Sequence, residues 1–213
     1  MKTSNYPNFQ IIFEALQQFG LLLESDQKLP SVASLIAQKP IRGSWWGHAK
    51  GQEIFDALQQ IADHKDVLFT KLLSGKVTLV HRKFWCELIS IGEAQEEWQT
   101  AKISTAARFL LEQVEQQEAL LTNEMTWPKK LPGKLGDAVR ELEKYLLVHA
   151  EQFHTQGGEH AKRLQTWQRF SNGSGLKCKK ITVEAAKAKL ESRVSDLNRQ
   201  FNGSAKLPWP GFK

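Results

Sequence analysis

The fold turns on one stretch, Val67-Leu-Phe-Thr-Lys-Leu-Leu-Ser-Gly-Lys-Val-Thr-Leu-Val-His81. Two runs rich in large apolar and β-branched residues, Val67–Leu73 and Val77–His81, flank Ser74-Gly75-Lys76. A glycine-containing joint between β-prone runs predicts a hairpin. Working upstream, Ile54, Phe55, Leu58 and Ile61 recur at helical spacing and predict a helix over 50–64. Before it, Ile41 to His48 reads as irregular chain or a short strand. Pro30-Ser31 opens a short helix with Val32, Leu35 and Ile36 inward, and Pro40 stops it. A first helical stripe, Phe9, Ile12, Phe13, Leu16, Phe19 and Leu23, spans 7–23, with Gly20 weakening its end. Downstream, Phe84–Gly92 returns to helix.

The same order then recurs. Ile103, Ala106, Ala107, Leu110, Leu111 and Val114 form a helical stripe, and Leu121–Trp127 and Lys134–Lys144 supply two further helical pieces. Tyr145–Phe153 and Glu159–Trp167 flank Gln156-Gly157-Gly158, a second hairpin. Ser171-Asn-Gly-Ser-Gly175 reads as a linker. Thr182 caps a helix running to about Gln200 with Ala186, Leu190, Val194 and Leu197 inward. The expectation is a mainly α fold with short β-hairpins (α+β). It comprises modules over 1–95 and 101–170, then a basic C-terminal helix with a Pro/Trp tail packed on the body over 176–213.

Helices followed by a glycine-tipped hairpin, twice, resemble the winged-helix family of helix-turn-helix domains repeated in tandem over roughly 7–92 and 102–168. The resemblance implies DNA contact through the third helix of a module, with the hairpin on the backbone. The phrases Pro40-Ile-Arg-Gly-Ser-Trp-Trp-Gly-His48 and His154-Thr-Gln-Gly-Gly-Glu-His160-Ala-Lys162 are also similar to those of an uncharacterised bacterial protein group, a likeness that implies no activity. Some DNA glycosylases acting on alkylated bases are built from tandem winged helices too. No stretch here matches their catalytic motif.

Charge sharpens the DNA expectation and divides it between the modules. The 213 residues hold 29 Lys+Arg and 23 Asp+Glu, and the whole net charge of +6 lies beyond residue 170. The third helix of the first module offers Gln52, Glu53, Asp56, Gln59, Gln60 and Asp63, a poor match for phosphates, opposed only by Lys50 and His48. In the second module the cations gather. Lys129, Lys130, Lys134, Arg140, Lys144, Lys162 and Arg163, joined by Lys179 and Lys180 of the tail, are the predicted nucleic-acid contacts. Asp137, Glu141 and Glu143 stand among them and count against the surface.

Arg42, Trp45, Trp46 and His48 form the predicted aromatic site, where a Trp face stacks a base and Arg42 or His48 reaches a polar edge. Two alternatives share these residues. One is a protein-interaction module or homodimer using the acidic helix and the Trp segment. The other is an enzyme with Trp45, Trp46, His48 and Glu53 in one pocket. His149, Glu151, His154, Glu159 and His160 surround the second hairpin, but strand alternation separates His149 from His154, so no metal is predicted. Phosphate-loop, dinucleotide and nucleophile-elbow motifs are absent, and neither an enzyme nor a cofactor is expected.

No apolar run approaches the roughly 20 residues of a membrane span, and 41% hydrophobic residues with seven Trp exclude a disordered chain. Cys86, among Phe84, Trp85, Leu88 and Ile89, reads as a buried thiol. Cys178, in Lys177-Cys-Lys-Lys180, reads as a thiol whose pKa falls if it is exposed. Two cysteines make no disulfide framework, and MKTSNYPNFQ lacks a secretory core. The expectation is a cytoplasmic, non-enzymatic nucleic-acid-binding protein.

Overall fold

A computed structural model describes residues 7–154 and 160–211. The tip of the second hairpin, Gln156-Gly157-Gly158 and Glu159 included, lies outside the described residues, as do the side chains of His154 and His160. The class is α+β, helical with two small antiparallel sheets. The chain divides into two compact units. One takes the chain through Trp85 plus Lys189–Leu207, and the other takes Cys86–Ala188 plus the residues from Pro208 onward.

In the first unit, helix α1 (Pro7–Phe19) is followed by strand β1 (Leu21–Leu23), helix α2 (Val32–Ala37), helix α3 (Gly51–Ala62) and the hairpin β2 (Val67–Lys71) and β3 (Val77–His81). The sheet order is β1-β3-β2, with Leu22 opposite Leu79 and Leu68 opposite Val80. The stripe over 7–23 is therefore not one helix. Gly20 adopts φ +75°, and a Cβ there would lie 2.3 Å from the Phe84 ring, so the chain turns and Leu21–Leu23 becomes a strand. Ser31 caps α2 through a reciprocal pair with Ser34. Ile12, Leu16, Val32, Ile54, Ile61 and Leu79 meet in the core.

The second unit repeats that order with one helix missing. Helices α4 (Trp85–Ala94) and α5 (Glu97–Thr100) lead to α6 (Thr105–Gln116), strand β4 (Leu120–Leu121), α7 (Leu135–Lys144) and the hairpin β5 (His149–His154) and β6 (His160–Gln165), in order β4-β6-β5. The helix expected over Leu121–Trp127 is absent. Residues 122–134 form a loop punctuated by Pro128, Pro132 and Gly133, which the Trp127 indole N–H pins to the Gly133 carbonyl at 3.0 Å. Leu110, Val114, Leu142, Val148 and Leu164 fill this core. Helix α8 (Trp167–Gly173) runs into the expected linker, and α9 (Val183–Phe201) follows.

The cysteine expectation is overturned. Cys86 and Cys178 form a disulfide across 92 residues, so neither is a free thiol. The two half-exposed sulfurs come from α4 and from the Lys-rich segment before α9. Long sequence separation hid the pairing, because only tertiary folding brings their Cα atoms to 5.4 Å. Among the described residues no helix is long and apolar enough to cross a membrane.

Candidate nucleic-acid interface

Helix α7 buries Ala138, Val139 and Leu142, which leaves Lys134, Asp137, Arg140 and Lys144 exposed along its outer side. Its other two carboxylates go elsewhere. Glu143 is buried and takes the ammonium of Lys162, from β6, at 2.6 Å. Glu141 accepts from the backbone N–H (2.9 Å) and hydroxyl (2.6 Å) of Ser104, the residue that caps α6. Its negative charge thus sits at the positive end of that helix. What faces outward is three cations and Asp137, which pairs with Arg140 one turn on.

The other predicted contacts separate by role. Lys129 and Lys130, in the loop before α7, are exposed, as are Arg163 on β6 and Lys179 and Lys180 beside the disulfide. Lys144 also lies over the Tyr145 ring at 5.2 Å. Lys162 is spent on Glu143, so it holds β6 to α7 and is the member of the set with a structural task.

The aromatic cluster of the first unit is local and graded in exposure. Ser44 caps a single tight turn, Trp45–Gly47. Trp45 is 4% exposed and donates its indole N–H to Glu24 at 2.8 Å, whereas Trp46 is 64% exposed. The two rings stack with centroids 4.2 Å apart, and Phe55 of α3 tilts against Trp46 at 5.7 Å. His48 turns its Nδ1 inward to the Lys50 backbone N–H at 3.1 Å. Arg42 is exposed on the approach to the turn.

A family model described as AlkZ-related matches residues 6–205. The chain belongs to the AlkZ-related family. No curated protein and no solved structure matches it. The family match runs through both units and α9, so α3, α7 and the lysines beside the disulfide of this AlkZ-related chain all lie within it.

The positive C-terminal helix of the AlkZ-related protein is used mostly for internal contacts. Lys187 binds Glu96 at 2.5 Å and lies over the Trp98 ring at 5.8 Å. Trp98 also donates to Glu96 at 2.8 Å. Burial disfavours ionisation of Glu96, but the hydrogen bonds from Lys187 and Trp98 outweigh it and hold the carboxyl below its ordinary range. In the first unit Arg193 donates to the carbonyls of Phe19 and Gln18 at the end of α1, where Lys83 reaches Gln17. Lys189 covers Phe84 at 5.4 Å.

Sequence reasoning missed these partners, and it weighed His149 only as a metal ligand. This buried imidazole stacks on Phe170 with centroids 4.2 Å apart and meets Gln165 at 3.2 Å. Burial, helped by the charge of Arg163, pushes its pKa down to about 4. A groove of about 510 Å³ in the second unit, lined by Glu93, Gln95, Glu115, Thr166, Trp167 and Arg169 among others, was equally invisible to sequence. Burial raises the pKa of Glu93 there. Among the described residues no group of three His, Cys, Asp or Glu is placed to share a metal ion.

Proposed function

We propose that this protein binds nucleic acid without transforming it, through the outer side of α7 flanked by Lys129, Lys130, Arg163, Lys179 and Lys180. The observation that carries the reading is where Glu141 and Glu143 go, the first to the Ser104 cap of α6 and the second, buried, to Lys162. Lys162 neutralises Glu143 and Ser104 turns Glu141 to the start of α6, leaving Lys134, Arg140, Lys144 and the Arg140-paired Asp137 outward. Phosphate lattices select such a surface by releasing condensed cations, one interaction per neutralised phosphate. Membership of a family whose name relates it to DNA repair supports DNA as the polymer and a repair-associated or regulatory role.

The tandem winged-helix reading belongs to the same proposal. In each unit a short strand that follows the first core helix pairs with the second strand of the hairpin, and a helix precedes the hairpin directly. That order would make α7 the helix presented to the groove and β5–β6 the backbone contact. The modules would span 1–95 and 101–170, with 176–213 as a packed tail.

The test is a titration of a labelled 20-base-pair duplex at 50 and 200 mM salt. Lys134→Ala, Arg140→Ala and Lys144→Ala should each reduce the slope of log affinity against log salt by about 0.9. Binding that is undetectable at 50 mM salt, or that is indifferent to salt, would refute the proposal.

A further inference from the structure

The first unit carries a surface of opposite character that the nucleic-acid reading does not use. Trp46 is the one large aromatic side chain among the described residues that stands well exposed. Its ring has a fixed seat, with Trp45 stacked beneath it and Phe55 at its side. The seat is rigid for three reasons. Trp45 is anchored to Glu24, Ser44 caps the turn, and Gly51 lets α3 begin against the turn, where a Cβ would sit 3.0 Å from the Trp46 carbonyl oxygen.

Next to Phe55 on the α3 wheel lie Gln52, Asp56, Gln59 and Asp63, all exposed, with Glu53 further round. Asp56 accepts from Gln52 at 2.8 Å, which holds its carboxylate in place on the outer face. Of the flanking cations, Lys50 is already committed, because it donates to the Ile36 carbonyl at 2.9 Å and lies 3.9 Å from Glu53, while Arg42 and Lys65 are exposed. The surface therefore combines an open indole face with three carboxylates.

We infer that Trp46 and the outer side of α3 dock an arginine-rich segment of a partner protein. Charge chooses the partner. A phosphate on this face would meet Asp56, whereas a cation gains from both the ring and that carboxylate. Arginine suits the site better than lysine, because a planar guanidinium lies flat on indole while its N–H fork still reaches a carboxylate. Glutamines 52 and 59 supply neutral hydrogen-bonding groups to a peptide backbone crossing the helix.

The experiment titrates the full chain with a labelled arginine nonamer, a lysine nonamer and a thymidylate nonamer. The arginine peptide should bind tightest, with an affinity that falls as salt rises. Trp46→Ala should weaken it about tenfold and erase the preference for arginine over lysine, an effect of the size expected for a desolvated cation on an indole face. Trp46→Phe should keep part of the affinity, and Asp56→Asn should cost about threefold. The exposed position of Trp46 spares the core, and unchanged far-UV circular dichroism of Trp46→Ala checks this. Arginine-peptide binding that is indifferent to Trp46→Ala overturns the inference. Trp46-dependent binding of thymidylate in preference to the arginine peptide does so too, in favour of a base platform. Substitutions on α7 should leave peptide binding unchanged, so failure here and failure of the nucleic-acid reading are separable.

Discussion

Helices α3 and α7 hold the same place in their units, each the last helix before a hairpin and each burying one apolar side in its own core. By sequence both look acidic or balanced, with Glu53, Asp56 and Asp63 in or beside the first and Asp137, Glu141 and Glu143 in the second. Their outer sides nevertheless differ in sign. The carboxylates of α3 stay on the surface, where Asp56 accepts from Gln52 of the same helix. Two of the three on α7 are taken by groups of other elements, Glu143 by Lys162 in the interior and Glu141 by Ser104 at the start of α6. The net charge of a helix is thus a poor guide to the charge of the face it presents. What matters is which side chains the neighbouring elements recruit.

Five experiments would break or sharpen this contrast, and the largest effect concerns the frame that carries α7. The second unit is closed by the Cys86–Cys178 bridge, whereas no cysteine lies in the first. Cys86→Ser should lower the unfolding free energy by about 4 kcal/mol, the loop-closure expectation for so long a separation. Chemical denaturation would show it, and an equal loss in fully reduced wild-type protein would confirm its source.

Next comes acid sensitivity, which should also belong to the second unit. His149 is held neutral in the fold but takes a proton freely in the unfolded chain. Its contribution is therefore whole above about pH 6.5 and is lost as pH falls toward 4, by about 3 kcal/mol in all. Stability measured across pH 7 to 4 should flatten in His149→Gln. A profile unchanged by that substitution would place the acid sensitivity elsewhere.

The contrast in sign has its own test. Reversing Lys134, Arg140 and Lys144 together to Glu should cost about a hundredfold in duplex affinity at low salt, some 3 kcal/mol. If the same protein binds duplex as before, the sign of α7 has no bearing on nucleic acid. Lys162→Met should behave differently from those three. It should cost about 2 kcal/mol of stability, since it strips the cation from buried Glu143, and it should leave the salt slope unchanged. A lowered slope with unchanged stability would return Lys162 to the phosphate contacts. The smallest effect is expected on α3, where Glu53→Gln should alter stability by less than about 0.5 kcal/mol and leave duplex affinity unaltered. A tighter duplex in that variant would show that α3, too, faces nucleic acid.

Much of this molecule was legible as sequence. The hairpin over Val67–His81 was readable from its turn residues, and α3, α6, α7 and α9 from apolar spacing, because those signals are local and set by periodicity. Gly20 was read as a weak helix end when it is a break, since the Phe84 ring that forbids a side chain there lies 64 residues away in sequence. Trp45 and Trp46 were found as neighbours, but their opposite fates, one buried on Glu24 and one in solvent, depended on packing.

By itself the sequence determined the element order, the α+β class, the apolar sides of the helices and the concentration of cations after residue 128. Only the tertiary structure decided which charges remain on the surface, that Cys86 meets Cys178, and that Arg193, Lys187 and Lys189 of the last helix serve a helix end and rings. The physical reason is range. Periodicity and turn chemistry act over a few residues, whereas desolvation, ion pairing and sulfur–sulfur bonding answer to groups brought close only when the core closes.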